Sequence, residues 1–548
     1  MDQRPGPSGV VYPIRTRTLD DDSDLDLDPD DPDDPGDPDN DNLDDLEFGL
    51  VSEDEDPNYE ENPPNWSNHC AIGMKEIPFT KEEGFLVPLP EEKSPVSFFN
   101  LLVDDLFYEN IVKATNAYAL GLFCGPSTLP RSRITKFKDL TVEELKIFIA
   151  LVIHMGVIEL PKIQDYWKNN KLFKSCFSSF MSRDRFLIIM RCINFEVRPD
   201  PSNRASKVQF LVDYFNNKMN QVYYPQKKLC VDESMVLWRG RLYFRQYIKG
   251  KRHKYGIKLY TLCDPHGLIV KFFMYCGVLD DFGGKGHAAN VVLHLMQNKL
   301  NCGHSLFLDN FYNSFSLASA LLRKNTYCTG TLRLDRKYNP TAVKNKKLKK
   351  GETVCQYSEG VMVGKWKDKR VVSYISTEFT NEMVTSLNRV RLERTKPLPI
   401  VQYNHFMKGV DRADQMMAYY PCERKTIRWY KKIFIHVLQM LLSNAHYLYN
   451  EVEVAAGGKK MPLYDFRLRV VDAMLPDTAP PERPLKRKSV MHTPTRITEL
   501  KPDGKRLKQK RCKVCSSNGR RKDVTWHCLE CEGSPGFCVP KCFDDFHQ

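Results

Sequence analysis

The chain predicts a mixed α/β core, a helical domain beside it and a small cysteine-rich, metal-stabilised segment at its C-terminal end. Three features of the 548-residue sequence carry this reading. Between residues 226 and 334, strand-like runs form a meander and then alternate with helix-like runs, the pattern of a mixed sheet. Residues 95–225 place apolar side chains at helical spacing, as in Val142-Glu-Glu-Leu-Lys-Ile-Phe-Ile-Ala-Leu-Val152. Six of the 17 cysteines fall in the last 37 residues, a stretch too short to build a core of its own.

Within the core, strands are expected over 228–237, 242–248, 255–263 and 268–277, then a helix over 288–300, a strand over 305–309, a helix over 314–323 and a strand over 327–333. Three aspartates stand at strand-like or helix-start positions: Asp232 in Lys-Leu-Cys-Val-Asp-Glu, Asp309 in Ser-Leu-Phe-Leu-Asp-Asn, and Asp411 in Lys-Gly-Val-Asp-Arg-Ala-Asp-Gln-Met. A carboxylate after an apolar run is costly to bury unless it is paired or binds a metal. One such residue is most simply a strand-closing or turn-starting group. Three in this order point to a divalent-cation site, in which two oxygen-bound cations activate a hydroxyl and stabilise a leaving oxygen during phosphodiester cleavage.

The motifs around these residues are Val231-Asp-Glu-Ser-Met235, Trp238-Arg-Gly-Arg241, Lys254-Tyr-Gly-Ile-Lys258, Leu308-Asp-Asn-Phe-Tyr312, Gly409-Val-Asp-Arg-Ala-Asp-Gln-Met416 and Arg424-Lys-Thr-Ile-Arg-Trp429. In this order, the segment from about Asp232 to Trp429 resembles the catalytic core of piggyBac-family DNA transposases. The resemblance implies an RNase H-like fold with a triad of aspartates, falling on Asp232, Asp309 and Asp411. Two Mg²⁺ ions per active site are then expected, bridged by Asp232 and Asp309, with Asp411 holding one of them. Asp414 shares a helix face with Asp411 and is either a fourth carboxylate or an orienting group. The family pattern also has an aspartate there.

Candidate DNA contacts surround this set. Asn310 offers a hydrogen bond to phosphate or base, or simply closes a turn. Arg333 and Arg336 follow the last core strand; Lys425, Arg428 and Trp429 follow the third aspartate. Arginine matches phosphate as a bidentate fork, and an exposed tryptophan stacks on a displaced base. A tryptophan is more commonly core, but its cationic neighbours and the resemblance favour DNA-end binding here.

Charge is unevenly spread. The net charge is +12, yet residues 1–61 hold 23 acidic against 3 basic side chains, a net −20 that leaves +32 on the remainder. So basic a body suits a polyanion, and double-stranded DNA is the expected partner. The acidic tail, taken as residues 1–65, lacks the apolar content to offset ordering entropy and is expected to be disordered. It either solvates the chain or competes with DNA for the basic body. The apolar fraction of 42% supports a substantial core. No secretory signal or membrane span is read: the apolar run 145–160 is interrupted by Lys146, His154 and Gly156 and is expected to be a buried helix. The expected setting is soluble and intracellular, with the other 11 cysteines, between Cys70 and Cys422, reduced.

The C-terminal segment, residues 512–548, offers Cys512, Cys515, Cys528, Cys531, Cys538, Cys542 and His547 at zinc-ligand spacing. One or two Zn²⁺ ions are expected. An interleaved pair requires eight ligands, and seven are evident; His527 is available as the eighth but is read as flanking Cys528 without binding. The resemblance adds that such a domain binds the transposon's terminal DNA. Residues 476–511 read as a basic linker with clusters at 485–488 and 505–511, suited to nuclear import and phosphate contact or to a solvated tether. Residues 335–400 read as an inserted β-rich domain with strands over 353–357, 360–366 and 370–376 behind a lysine-rich stretch. Similarity to the family implies that residues 95–225, completed by 430–475, form a dimerisation and DNA-binding domain around the core segments 226–334 and 401–429.

The resemblance implies a cut-and-paste transposase that excises through hairpin ends and integrates at TTAA, acting in the nucleus as a homodimer or higher assembly on terminal inverted repeats. Two other readings stay open: a domesticated, transposase-derived nuclear DNA-binding protein without productive transposition, and a nuclease for some other DNA structure.

Overall fold

The computed structural model describes residues 63–547 except 71–72, 125–132, 174, 249–253, 278–283, 388–392, 425, 427, 478–491 and 503. The acidic tail up to residue 62, the basic cluster 485–488 and Lys425 therefore lie outside the described residues. The chain divides into two compact units, Met1–Pro476 and Asp477–Gln548.

The first unit is built on a nine-stranded sheet. Its strands are β1 (Lys228–Leu237), β2 (Gln246–Tyr247), β3 (Tyr255–Cys263), β4 (Ile269–Met274), β5 (Ser305–Leu308), β6 (Tyr327–Thr331), β7 (Thr353–Ser358), β8 (Val361–Lys367) and β9 (Val371–Ser376). The order across the sheet is β2-β3-β1-β5-β6-β9-β8-β7, with β4 also paired to β3. β1, β5 and β6 are mutually parallel; every other pairing is antiparallel. The parallel pairs need crossovers, supplied by helices α5 (His287–Met296) and α6 (Phe315–Arg323).

Alternation along the strands sorts side chains to two faces. Leu229, Val231, Leu306 and Leu308 join α5 and α6 through Val291, Leu295, Leu317 and Leu321. Cys230, Val236, Ile257 and Phe307 face the opposite way, into one large core shared with the helical elements. Those elements are α1 (Pro95–Leu102), α2 (Asp105–Phe123), α3 (Val142–Val157), α4 (Gln209–Val222), α7 (Leu398–Phe406), α8 (Gly409–Tyr419), α9 (Trp429–Ala455) and α10 (Leu463–Met474). The first three start where Ser94, Asp104 and Thr141 accept backbone N–H groups of the opening turn. α9 is buried almost all round: Phe434 stacks on Phe107 and on Phe195, the latter pair 5.0 Å apart between ring centres.

Three expectations change. The inserted strands do not make a separate domain, because β9 pairs with β6 in the register Tyr374↔Thr331 to Ser376↔Thr329 and continues the main sheet. Beyond β6 the sheet would otherwise end in unpaired backbone groups, and the inserted β7–β9 meander satisfies them. Among the described inserted strands, β10 (Met383–Leu387) and β11 (Glu393–Pro397) pair apart from the main sheet as a two-stranded ribbon. The strand expected over 242–248 shrinks to β2, with Leu242 packing against the helical core. Part of the linker is structured: Pro494–Arg496 pairs with Trp526–Cys528, and Lys510–Arg511 with Asp523–Val524, so these residues belong to the C-terminal unit. Among the described residues, no helix is long and apolar enough to cross a membrane.

Candidate functional site: an aspartate cluster on the sheet and a zinc-type double cluster

β1 and β5 run parallel in the register Lys228↔Ser305 to Val231↔Leu308. The next position on each chain is an aspartate, so the register itself sets Asp232 and Asp309 side by side where the two strands end their pairing. Asp232 falls on the same face of β1 as Cys230 and Ser234, the face covered by α8. α8 is pressed close. A Cβ on Gly409 would meet the Asp264 carbonyl oxygen at 2.1 Å and the Cys230 sulfur at 2.6 Å, so only glycine lets the start of this helix approach the sheet. Asp264 is buried, and its carboxylate accepts from the backbone N–H of His266 and Leu268 and from the Tyr447 hydroxyl, fixing the turn against which α8 rests.

Asp411 lies in the first turn of α8, where a negative side chain is favoured by the helix dipole, and it is exposed. Asp414 is one turn on and accepts a hydrogen bond from the Ser234 hydroxyl at 2.5 Å, which ties α8 to β1 two residues beyond Asp232. Tyr403 on α7 feels the charges of Asp309, Asp232 and Asp411 together; burial first, then these three carboxylates, push its phenol up to about 12.

Asp309 is the electrostatic centre. Its carboxylate accepts from the Phe311 backbone N–H at 2.9 Å, while burial and then the neighbouring Glu233 carboxylate hold its pKa above the usual range, opposed by that bond and by Arg333. A hard carboxylate held above its usual range by burial and a neighbouring acid, as Asp309 is, suits a divalent cation, which relieves the repulsion. Asp232, Asp309 and Asp411 are oxygen donors of the kind such a cation takes. The carboxylates do not themselves converge as tightly as the C-terminal ligands: among the described residues, both groups with ligand atoms within 4.8 Å of one another lie in the second unit.

Glu233 was not singled out in the sequence. It accepts from Tyr312, whose ring is fully buried, at 3.3 Å. Its signal was its place directly beside Asp232. Asn310 is exposed beside Asp309. Arg333 is exposed, whereas Arg336 is half-buried and donates to the Asn310 and Phe311 carbonyls, fastening the loop that carries Asp309. Arg428 caps the start of α9, its backbone N–H bonded to the Thr426 hydroxyl. Trp429 corrects the stacking expectation. It is 5% exposed and meets Phe244 edge-on at 5.3 Å, so no base reaches its face without opening the core.

In the C-terminal unit the cysteines form two groups. Cys512, Cys515, Cys538 and Cys542 converge, with Cys515 Sγ 3.8 Å from Cys538 Sγ and 3.7 Å from Cys542 Sγ. Sulfurs bound at ~2.3 Å around a tetrahedral zinc lie about 3.8 Å apart, so the spacing fits the ion. The second group is His492, Cys528, Cys531 and His547, with His547 Nε2 3.1 Å and His492 Nδ1 3.3 Å from Cys531 Sγ. His547 Nδ1 pairs with the Phe543 carbonyl at 2.7 Å, which orients the ring as zinc-binding histidines require. The ligands alternate along the chain between the two groups, an interleaved brace. The eighth candidate ligand is His492; His527, in the strand paired with Thr495, lies outside both groups.

A family model described as Transposase IS4 matches residues 94–446, and the chain belongs to this family of transposases, in its piggyBac branch. Membership implies a divalent metal. The chain is 26% identical to human piggyBac transposable element-derived protein 3 over 466 residues, covering 80% of this chain and 74% of that protein. It is 26% identical to human piggyBac transposable element-derived protein 2 over 380 residues, covering 66% of this chain and 62% of that one. A structure described as a piggyBac transposase synaptic complex with hairpin DNA superposes with a TM-score of 0.61 at 23% identity, covering 81% of this chain and 97% of the other. The mixed α/β fold is that of the piggyBac transposase, consistent with an RNase H-like core.

Proposed function

We propose that this protein cleaves and joins DNA strands as a cut-and-paste transposase, excising an element through hairpin ends and inserting it at TTAA. The observation that supports this most is the parallel register that sets Asp232 beside Asp309 under α8, with Asp411 and Asp414 on the same helix. Asp232, Asp309 and Asp411 would hold two Mg²⁺ ions, which when bound lower the pKa of an attacking hydroxyl and neutralise the leaving oxygen. The remaining work falls to the chain itself. Ser234 holds Asp414 and so steadies the helix that carries Asp411. Arg333, exposed beside Asp309, is set to neutralise a phosphate as it enters. Arg336 keeps the Asp309 loop from shifting, and α8's contact with Asp264 sets its depth. The zinc-braced unit reads the terminal repeats, two ends are cut by at least a dimer, and the protein acts in the nucleus.

A second reading is that of a host protein that binds DNA without transposing, favoured by the likeness to human proteins named as transposable element-derived. One experiment separates the two. Asp232→Asn, Asp309→Asn and Asp411→Asn are each expected to abolish Mg²⁺-dependent cleavage of a labelled terminal duplex while leaving its gel shift nearly intact. A wild-type protein that binds the duplex and never nicks it supports the domesticated reading, and near-normal nicking by one variant removes that residue from the metal set.

A further inference from the structure

An open cavity of about 390 Å³ lies beside the aspartates, lined by the end of β6, the turn between β8 and β9, β11 and α7. Its inner end belongs to the candidate site. Thr331 directly follows Gly330, which pairs with Leu308, the residue before Asp309, and Tyr403 is the phenol that senses all three aspartates. Its outer rim is cationic: Lys369 and Arg370 are exposed on the turn between β8 and β9, and Lys396 faces them from β11. The single acid of the lining, Asp368, is engaged by Arg394 at 3.7 Å, so three positive charges outweigh it. The floor is apolar: half-buried Val372 is its accessible part, with Ile400 and Trp366 buried behind it at 5% exposure each, and the Trp366 indole N–H has no acceptor.

We infer that this cavity takes a single DNA strand leaving the cleavage site, with one nucleotide on the apolar floor and its flanking phosphates on Lys369, Arg370 and Lys396. The inference rests on the proposed cleavage site and adds to it the path of the strand beyond the scissile phosphate. The cavity has room for about one nucleotide, so a paired duplex would meet only its rim. Charge specifies the backbone as the attached group, and the aliphatic floor at Val372 offers a base no hydrogen-bonding partner, so binding is indifferent to sequence. The inserted strands thus acquire a use: by joining the main sheet through β9 they carry the cationic turn to the edge of the aspartate cluster.

The test is equilibrium binding of a fluorescein-labelled 12-nucleotide thymidine strand to the full chain across a salt series. Each phosphate contact on a single strand contributes about 0.7 to the slope of log affinity against log salt, so Lys369→Ala/Arg370→Ala/Lys396→Ala is expected to lower that slope by about 2. Lys369→Arg/Arg370→Lys/Lys396→Arg is expected to keep it. A control removing three exposed cations outside every segment given a DNA-binding role, Lys75→Ala/Lys81→Ala/Lys93→Ala, is expected to leave it unchanged. An unaltered slope in the first variant, an equal fall in the control, or an equal fall with a 12-base-pair duplex overturns the groove assignment. No cutting is needed for this readout. A protein that passes it and yet never nicks DNA refutes the cleavage reading alone, and one that nicks DNA but fails it refutes the groove alone.

Discussion

Gly409→Ala is the sharpest probe of how the fold sets the depth of the third aspartate. The added methyl group would lie 2.1 Å from the Asp264 carbonyl oxygen, where ordinary contact begins at 3.4 Å, so α8 must lift by about 1.3 Å or the turn beneath it must give. The turn is held by three hydrogen bonds to a buried carboxylate, one of them from Tyr447 on α9, so the helix is the softer partner. Asp411, two residues along, moves with it. Overpacking of this kind costs about 1–3 kcal/mol, and an error of ~1 Å in a catalytic group costs about a hundredfold in rate. Thermal melts with and without Mg²⁺, beside a terminal-duplex nicking assay, are expected to show a modest loss of stability, a weakened Mg²⁺-dependent stabilisation and a rate down by about two orders of magnitude. Gly121→Ala in α2, where the new methyl meets nothing within 4 Å, is the matched control and is expected to stabilise the protein by up to ~1 kcal/mol. A Gly409→Ala protein that nicks within a few-fold of wild type would refute the claim that this contact positions Asp411.

Other outcomes follow from the same geometry. Because Asp309 is raised by burial and by Glu233, its charge destabilises the metal-free fold: the penalty is absent below the ordinary carboxylate range and grows as pH rises through the raised value. Glu233→Gln is expected to shrink that loss in a pH series of melts and to move the acid limb of the cleavage profile to lower pH; an unmoved limb would dismiss the coupling. His492→Ala is expected to drop the zinc content from two ions per chain to about one by atomic absorption, whereas His527→Ala keeps two. Trp429→Ala is expected to cost about 3–5 kcal/mol in denaturant unfolding, as for a buried aromatic, and a stable variant with only weakened DNA affinity would restore the stacking role.

Much of this was legible in the sequence because local pattern and burial agreed. β1 and β3 follow their expected bounds residue for residue, since each alternates between two apolar surfaces and ends in polar sequence. Which strand neighbours which was not legible. Nothing local in Val371–Ser376 says that it pairs with Tyr327–Thr331, and the separate β-domain was a mistake of long-range pairing rather than of strand recognition. Trp429 was misjudged from its cationic neighbours, while the stronger signal lay downstream: Trp429, Tyr430, Ile433 and Phe434 open the apolar stripe of a buried helix. His492 stands 20 residues before the first cysteine, far outside zinc-pair spacing, and the odd total of seven ligands was the one clue to it.

The first and last ligands of the zinc-braced unit, His492 and His547, belong to the same group. A metal in this group would close the segment into a ring, and one in the other group would tie a second loop across it. A backbone nick between Ser517 and Lys522 would yield two fragments that stay together on non-denaturing gels until a chelator parts them. Transplantation obeys the same constraint: a graft that starts at the first cysteine leaves the ring open, and one that starts before His492 carries a self-contained module.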